Sequence, residues 1–87
     1  MRKFNRTYPK ILPLDQYPKF SDRLKVVMDI RGYTAVELAT SIYTSPTTIS
    51  MYRRGKRMPS PEVLCLIAIE LDVSTDFLLG LKDYIYV

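Results

Sequence analysis

Apolar side chains recur at helical spacing from residue 20 onward, and the phase of the pattern resets several times. Phe20, Leu24, Val27 and Met28 fall at i, i+4, i+7 and i+8, one face of a first helix, with Ile30 or Arg31 near its end. Gly32 then supplies the left-handed residue that commonly stops a helix. Thr34 stands three positions before Glu37, the spacing of a capping box, and opens a second helix with Val36, Leu38, Ala39 and Ile42 as its apolar stripe. That helix is short, because "TSPTT" follows almost at once. Ser45-Pro46 opens a third: the hydroxyl caps the open amides and Pro takes the first helical position. Ile49 and Tyr52 face the core, Thr48 at the edge braces the turn, and Gly55 ends the helix. Ser60-Pro61 repeats the signal for a fourth helix, which buries Val63, Leu64, Ile67, Ala68 and Leu71. Ser74 caps a fifth, "TDFLLG", with Phe77 and Leu78 inward and Gly80 as its stop.

The flanks follow other rules. Pro9, Pro13 and Pro18 argue against a helix before residue 20, so this stretch reads as an extended arm with a short strand near Lys10–Leu12. The ending "LKDYIYV" is aromatic and β-branched, and reads as a short strand or a docking segment. The expected organisation is an extended basic arm over 1–19, a compact all-α domain of five helices over 20–80, and a short C-terminal tail over 81–87.

Charge changes the picture more than composition does. Residues 1–61 hold twelve Lys and Arg against four Asp and Glu, whereas residues 62–87 hold one cation against five acids. A chain split this way offers an electropositive face, and the polyanion such a face meets most readily in a cell is nucleic acid. Chemistry of other kinds finds little support. The chain has no His, no Gly-rich loop to cradle a nucleotide and no Cys/His set for a metal, so neither an enzyme nor a cofactor is expected. Glu62, Glu70, Asp72 and Asp76 are explained by helix capping and surface solvation. Cys65, within "VLCLIAIEL", reads as a small core hydrophobe, and a single thiol suits a reducing compartment. The first residues "MRKFNRTYPK" lack the apolar core of a signal peptide, and Val63–Ile69 is far too short to span a bilayer. A cytoplasmic protein without a membrane role is the expectation.

Only four residues, "IYTS", separate the second and third helices, which suits a helix-turn-helix. Here the chain resembles a known family. The pattern F-x-x-R-L-K, G-Y-T-x-x-E-L-A, S-x-x-T-I-S-x-Y-x-R-G-K-R-x-P-S-x-E-x-L and L-x-V-S-x-D-F-L-L-G is similar to that of the Cro- and lambda-repressor-like regulators of bacteria and phages. It runs over residues 20–80, about two-thirds of the chain, in the family's order and spacing. The resemblance implies a lambda-repressor-like five-helix domain that binds double-stranded DNA as a transcriptional regulator, usually as a homodimer on pseudo-palindromic operators. No small-molecule effector is expected within this chain. The resemblance places Pro46, Thr47, Ser50 and Met51 at the positions that reach base edges. Arg54, Lys56 and Arg57 fall in the loop that lies along phosphates, with Arg53 and Arg23 as supplements and Thr34 and Ser45 at the open helix starts. Arg2, Lys3 and Arg6 of the arm then have a route into a minor groove, unless the arm pairs with the tail.

This chain departs from the family at several of these places. Ala35 stands where a phosphate-anchoring Gln is common. Tyr43 occupies the turn position often held by Gly, where a left-handed Tyr costs roughly 1–2 kcal/mol, so a rebuilt turn is expected. Met28 and Arg53 replace an Arg–Glu pair, which leaves Arg53 free to add a cation. None of the four base-facing residues is Arg, Lys, Asn or Gln, although Thr47 or Met51 can touch a thymine methyl. That thin vocabulary keeps a second reading open, a protein-interaction module on a helix-turn-helix scaffold with weak or non-specific DNA binding. An RNA-binding role is a third option, without an RNA-specific signature. Any sequence preference is expected to lean on DNA shape and on the arm.

Overall fold

Four hydroxyl side chains and five left-handed residues punctuate the described part of the chain. A computed structural model describes residues 19–82, and its helices are α1 (Phe20–Arg31), α2 (Ala35–Ser41), α3 (Pro46–Arg53), α4 (Pro61–Leu71) and α5 (Thr75–Leu78). The expected strand at Lys10–Leu12, the arm cations and most of the tail lie outside the described residues. Thr34 Oγ1 accepts from the Glu37 amide at 3.1 Å while Glu37 Oε1 accepts from the Thr34 amide at 2.8 Å, completing the capping box. Ser45, Ser60 and Ser74 each accept from the amide three residues on, at 3.1, 3.3 and 3.0 Å. Lys19 precedes α1 without a side-chain cap.

Each described helix also ends in the same way. A residue of positive φ follows its last turn: Gly32, Tyr43, Gly55, Asp72 and Gly80 in chain order. The next amide then reaches back five residues, from Tyr33 to Met28, Thr44 to Ala39, Lys56 to Met51, Val73 to Ala68 and Leu81 to Asp76, at 2.8–3.0 Å. These bonds satisfy carbonyls that a helix end would otherwise leave open. Asp tolerates the left-handed region because its short polar chain can bond locally; a Tyr has no such help. The turn is therefore not rebuilt around Tyr43. It keeps φ 62°, and the ring stands 92% exposed.

The interior is filled by Phe20, Leu24, Val27 and Met28 of α1, Leu38 and Ala39 of α2, Ile49 and Tyr52 of α3, and residues of α4 and α5. Tyr52 meets Phe20 edge-on, with centroids 6.4 Å apart and planes at 73°, which locks α3 to the start of α1. At the other end of α1, Arg31 donates from Nε to the Leu71 carbonyl at 2.8 Å and from Nη2 to that of Asp72 at 3.0 Å, closing the end of α4. Tyr33 donates its phenol to Glu70 Oε2 at 2.6 Å. The Glu70 hydrogen bond, then desolvation and the charges of Glu70 and Glu37, hold that phenol above its usual range, so it stays a donor at neutral pH.

Two apolar assignments are corrected. Val36 is 60% exposed, because the second helix turns Leu38, Ala39 and the following Ile42 inward, with Ala35 partly buried against them. Cys65 is exposed as well. α4 buries Ile67, Ala68 and Leu71 and half-buries Val63 and Leu64, and Cys65 lies on the opposite side of the helix with Leu66 and Ile69. No helix among the described residues is long and apolar enough to cross a membrane.

Tyr43→Gly removes a strained residue from a turn that keeps its geometry. Urea unfolding is expected to show a gain of about 1 kcal/mol with an unchanged denaturant slope; a loss would mean that the exposed ring contributes packing.

Candidate nucleic-acid interface

An eight-residue helix has limited surface, and α3 uses one side of it for anchoring. Ile49 and Tyr52, three positions apart, are buried against α1 and α2. Pro46 and Thr47 are exposed on the remaining surface, with Ser50 and Met51 half-buried beside them. The structure thus brings the four expected base-facing residues together on one helix, Pro46 and Thr47 open to solvent and Ser50 and Met51 partly so. Thr48 is engaged instead within the cap, its Oγ1 2.9 Å from Ser45 Oγ.

The cations after this helix form the strongest electrostatic feature. Arg53 is half-buried at the last position of α3, Arg54 follows as its C-cap, and Lys56 and Arg57 continue the exposed loop. Among the described residues, none of the four side chains is joined to another group by a hydrogen bond or an ion pair. Gly55 lets this loop turn, with φ 73°, and a Cβ there would stand 3.5 Å from Ser21 Oγ of α1. The loop is therefore seated against the body of the domain. Other cations already have structural tasks: Arg31 closes α4, Lys25 pairs with Asp22 at 3.9 Å and Lys82 with Asp76 at 3.9 Å.

Arg23, expected to supplement the phosphate contacts, is corrected. It is 1% exposed. Its Nη1 donates to the Phe77 carbonyl at 3.0 Å and to the Lys82 carbonyl, and its guanidinium lies 4.9 Å from the centre of the Phe77 ring. A guanidinium that is weakly hydrated and rich in donors suits such a place, where backbone acceptors replace water. It holds α5 and the chain after it against α1, and has no surface to offer a phosphate.

Thr34 and Ser45 are exposed at the starts of α2 and α3, with their oxygens committed to the caps described above. They bring the open amides of two helix N-termini to the surface near α3. Tyr43, expected to matter only in the turn, also adds its ring to the exposed rim two residues before the Ser45 cap. The spacing Val36, Thr40, Tyr43 (i, i+4, i+7) carried that signal, since all three are exposed on one side of α2 and its extension. Arg2, Lys3 and Arg6 lie outside the described residues. Among the described residues, no group of His, Cys, Asp or Glu is placed to hold a metal ion.

Comparison with known proteins agrees with this geometry. A helix-turn-helix family model matches residues 24–78. Among solved structures, the chain is similar to the P22 c2 repressor, crystallised in complex with synthetic operator 9T in the presence of Tl+. The match has a TM-score of 0.70 and 22% identity, and covers 74% of this chain and 97% of that one. At that identity the likeness is one of fold. No curated protein matches the chain.

Arg23→Ala and Arg54→Gln separate the two kinds of cation. Chemical unfolding is expected to show a loss of about 3 kcal/mol for Arg23→Ala, which orphans buried carbonyls. Arg54→Gln should stay within about 0.5 kcal/mol of the parent.

Proposed function

The chain belongs to the helix-turn-helix family, and from that membership we propose that it binds double-stranded DNA as a repressor-like transcriptional regulator in the cytoplasm. The observation that carries this reading is the run Arg53, Arg54, Lys56 and Arg57 at the end of α3, four cationic side chains without partners among the described residues. An interaction module has no evident use for such a run, whereas a helix entering the major groove is flanked by phosphates on both sides. The P22 c2 repressor, which shares the fold, was crystallised in complex with a synthetic operator. In this arrangement α3 enters the groove with Pro46, Thr47, Ser50 and Met51 toward base edges, and α2 crosses the backbone. Thr34 and Ser45 hold amide-rich helix starts near phosphates, and Arg54, Lys56 and Arg57 lie along the sugar-phosphate chain with Arg53 beside them. The arm residues Arg2, Lys3 and Arg6 follow the duplex into the neighbouring minor groove. The chain acts as a homodimer on a two-fold operator, and its work is recognition and not catalysis.

With four to six phosphates neutralised, the logarithm of the binding constant falls against that of salt with a slope of roughly −4 to −5. Replacing Arg54, Lys56 and Arg57 together by Gln should weaken binding to every duplex and flatten the slope by nearly 3. Titrations by fluorescence anisotropy over a range of salt would read both effects; an unchanged slope would refute this orientation. Dimerisation is tested by mass measurement on the full chain and on a chain ending at Lys82. Loss of a dimer on truncation would assign the interface to the tail, and a monomeric full chain at micromolar concentration would overturn the dimer.

A further inference from the structure

The exposed surface of α3 is unusual for a helix meant to read bases, and its chemistry narrows what it can read. Pro46 offers only a saturated ring. Thr47 offers one hydroxyl and one methyl, Ser50 one hydroxyl, and Met51 a thioether that accepts hydrogen bonds weakly. The hydroxyl of Thr48 is already paired with that of Ser45 at 2.9 Å. No side chain on this surface carries the two adjacent hydrogen-bonding groups that distinguish guanine or adenine through N7 and its neighbour. Arg53 is the nearest fork-shaped donor, but it is the last residue of α3, beyond the turns that meet base edges. What the surface offers instead is a row of apolar atoms: the Pro46 ring, the Thr47 methyl and the Met51 side chain. The major groove contains one apolar group on the four standard bases, the 5-methyl of thymine.

We infer that this protein selects its sites through thymine 5-methyl groups, packed against Pro46, Thr47 and Met51, with purine N7 and O6 atoms left unread. Met51 suits the task because an unbranched thioether adapts to an irregular gap. Thr47 and Ser50, each with a single hydroxyl, orient the helix without dictating a base. The cations after α3 then supply affinity that is blind to sequence, and the methyl row supplies the preference. The inference rests on the DNA-binding reading and adds the class of base edge recognised.

The test begins with duplexes enriched from a random pool at physiological salt. In the enriched site each thymine is replaced in turn by deoxyuridine, which removes only the 5-methyl, and each purine by its 7-deaza analogue, which removes the N7 acceptor. Affinity is expected to fall about fourfold for each contacted methyl, the worth of one buried carbon, and less than twofold for the 7-deaza duplexes. Met51→Ala, or Thr47→Ser where only a methyl is lost, should weaken binding to the thymine duplex and leave the matching deoxyuridine duplex unaffected. Deoxyuridine duplexes bound as tightly as the parent, or losses concentrated in the 7-deaza series, would overturn the inference. Salt-dependent binding without any enriched motif would also overturn it while leaving the DNA-binding reading intact. Absence of binding to any duplex would instead overturn that reading.

Discussion

The seating of α3 is the constraint on which everything else depends. A helix of eight residues does not persist by itself in water, and this one is held by two buried side chains, Ile49 and Tyr52. Phe20 meets Tyr52 edge-on, so the first helix of the domain sets the position of the third. Both ends are pinned as well, by Ser45 at the start and by Gly55 at the finish. The exposed residues inherit a fixed orientation from this frame, and a side chain presented from a rigid helix is placed more accurately than one on a loop.

The cations divide along the same lines. Arg23 and Arg31 are donors to backbone carbonyls, and Lys25 and Lys82 pair with nearby acids. The side chains of those between residues 53 and 57 have no partner among the described residues. Exposed ion pairs contribute little to stability, so leaving these four unpaired costs the fold almost nothing. Their mutual repulsion does have an effect, since it raises the local potential and favours an approaching polyanion. The rest of α3, residues 46–52, carries no charge. Affinity and discrimination thus reside in adjacent segments with different chemistry.

Much of the frame was legible because its signals are local. Ser45-Pro46, Ser60-Pro61, the Thr34–Glu37 spacing and the glycines at 32, 55 and 80 each mark a boundary within a few residues, and the helices begin and end there. What escaped detection needed distant partners or a phase that the residues do not display. Arg23 looks like any surface cation until the carbonyls of Phe77 and Lys82, far along the chain, are brought to it. Cys65 was misplaced because "VLCLIAI" is apolar on every side, so the pattern gives no inward direction. At Tyr43 the residue's own preference pointed to a rebuilt turn, and the demand for a left-handed stop between α2 and α3 prevailed. Of the expected interface, the placement of Pro46, Thr47, Ser50 and Met51 on the open surface of α3 follows directly from the inward pair Ile49 and Tyr52. The same local reasoning could not place Arg23, whose environment is made by α5.

That environment also sets an order of events during synthesis. Arg23 emerges from the ribosome well before the carbonyls that receive it, since those belong to residues 77 and 82. Until they arrive, burying the guanidinium means desolvating a charge without its acceptors, which costs several kcal/mol. Complete burial of Arg23 thus requires α5 and the residues after it to be in place. A basic segment able to attract RNA or DNA is made early, while the frame that aims it is completed last.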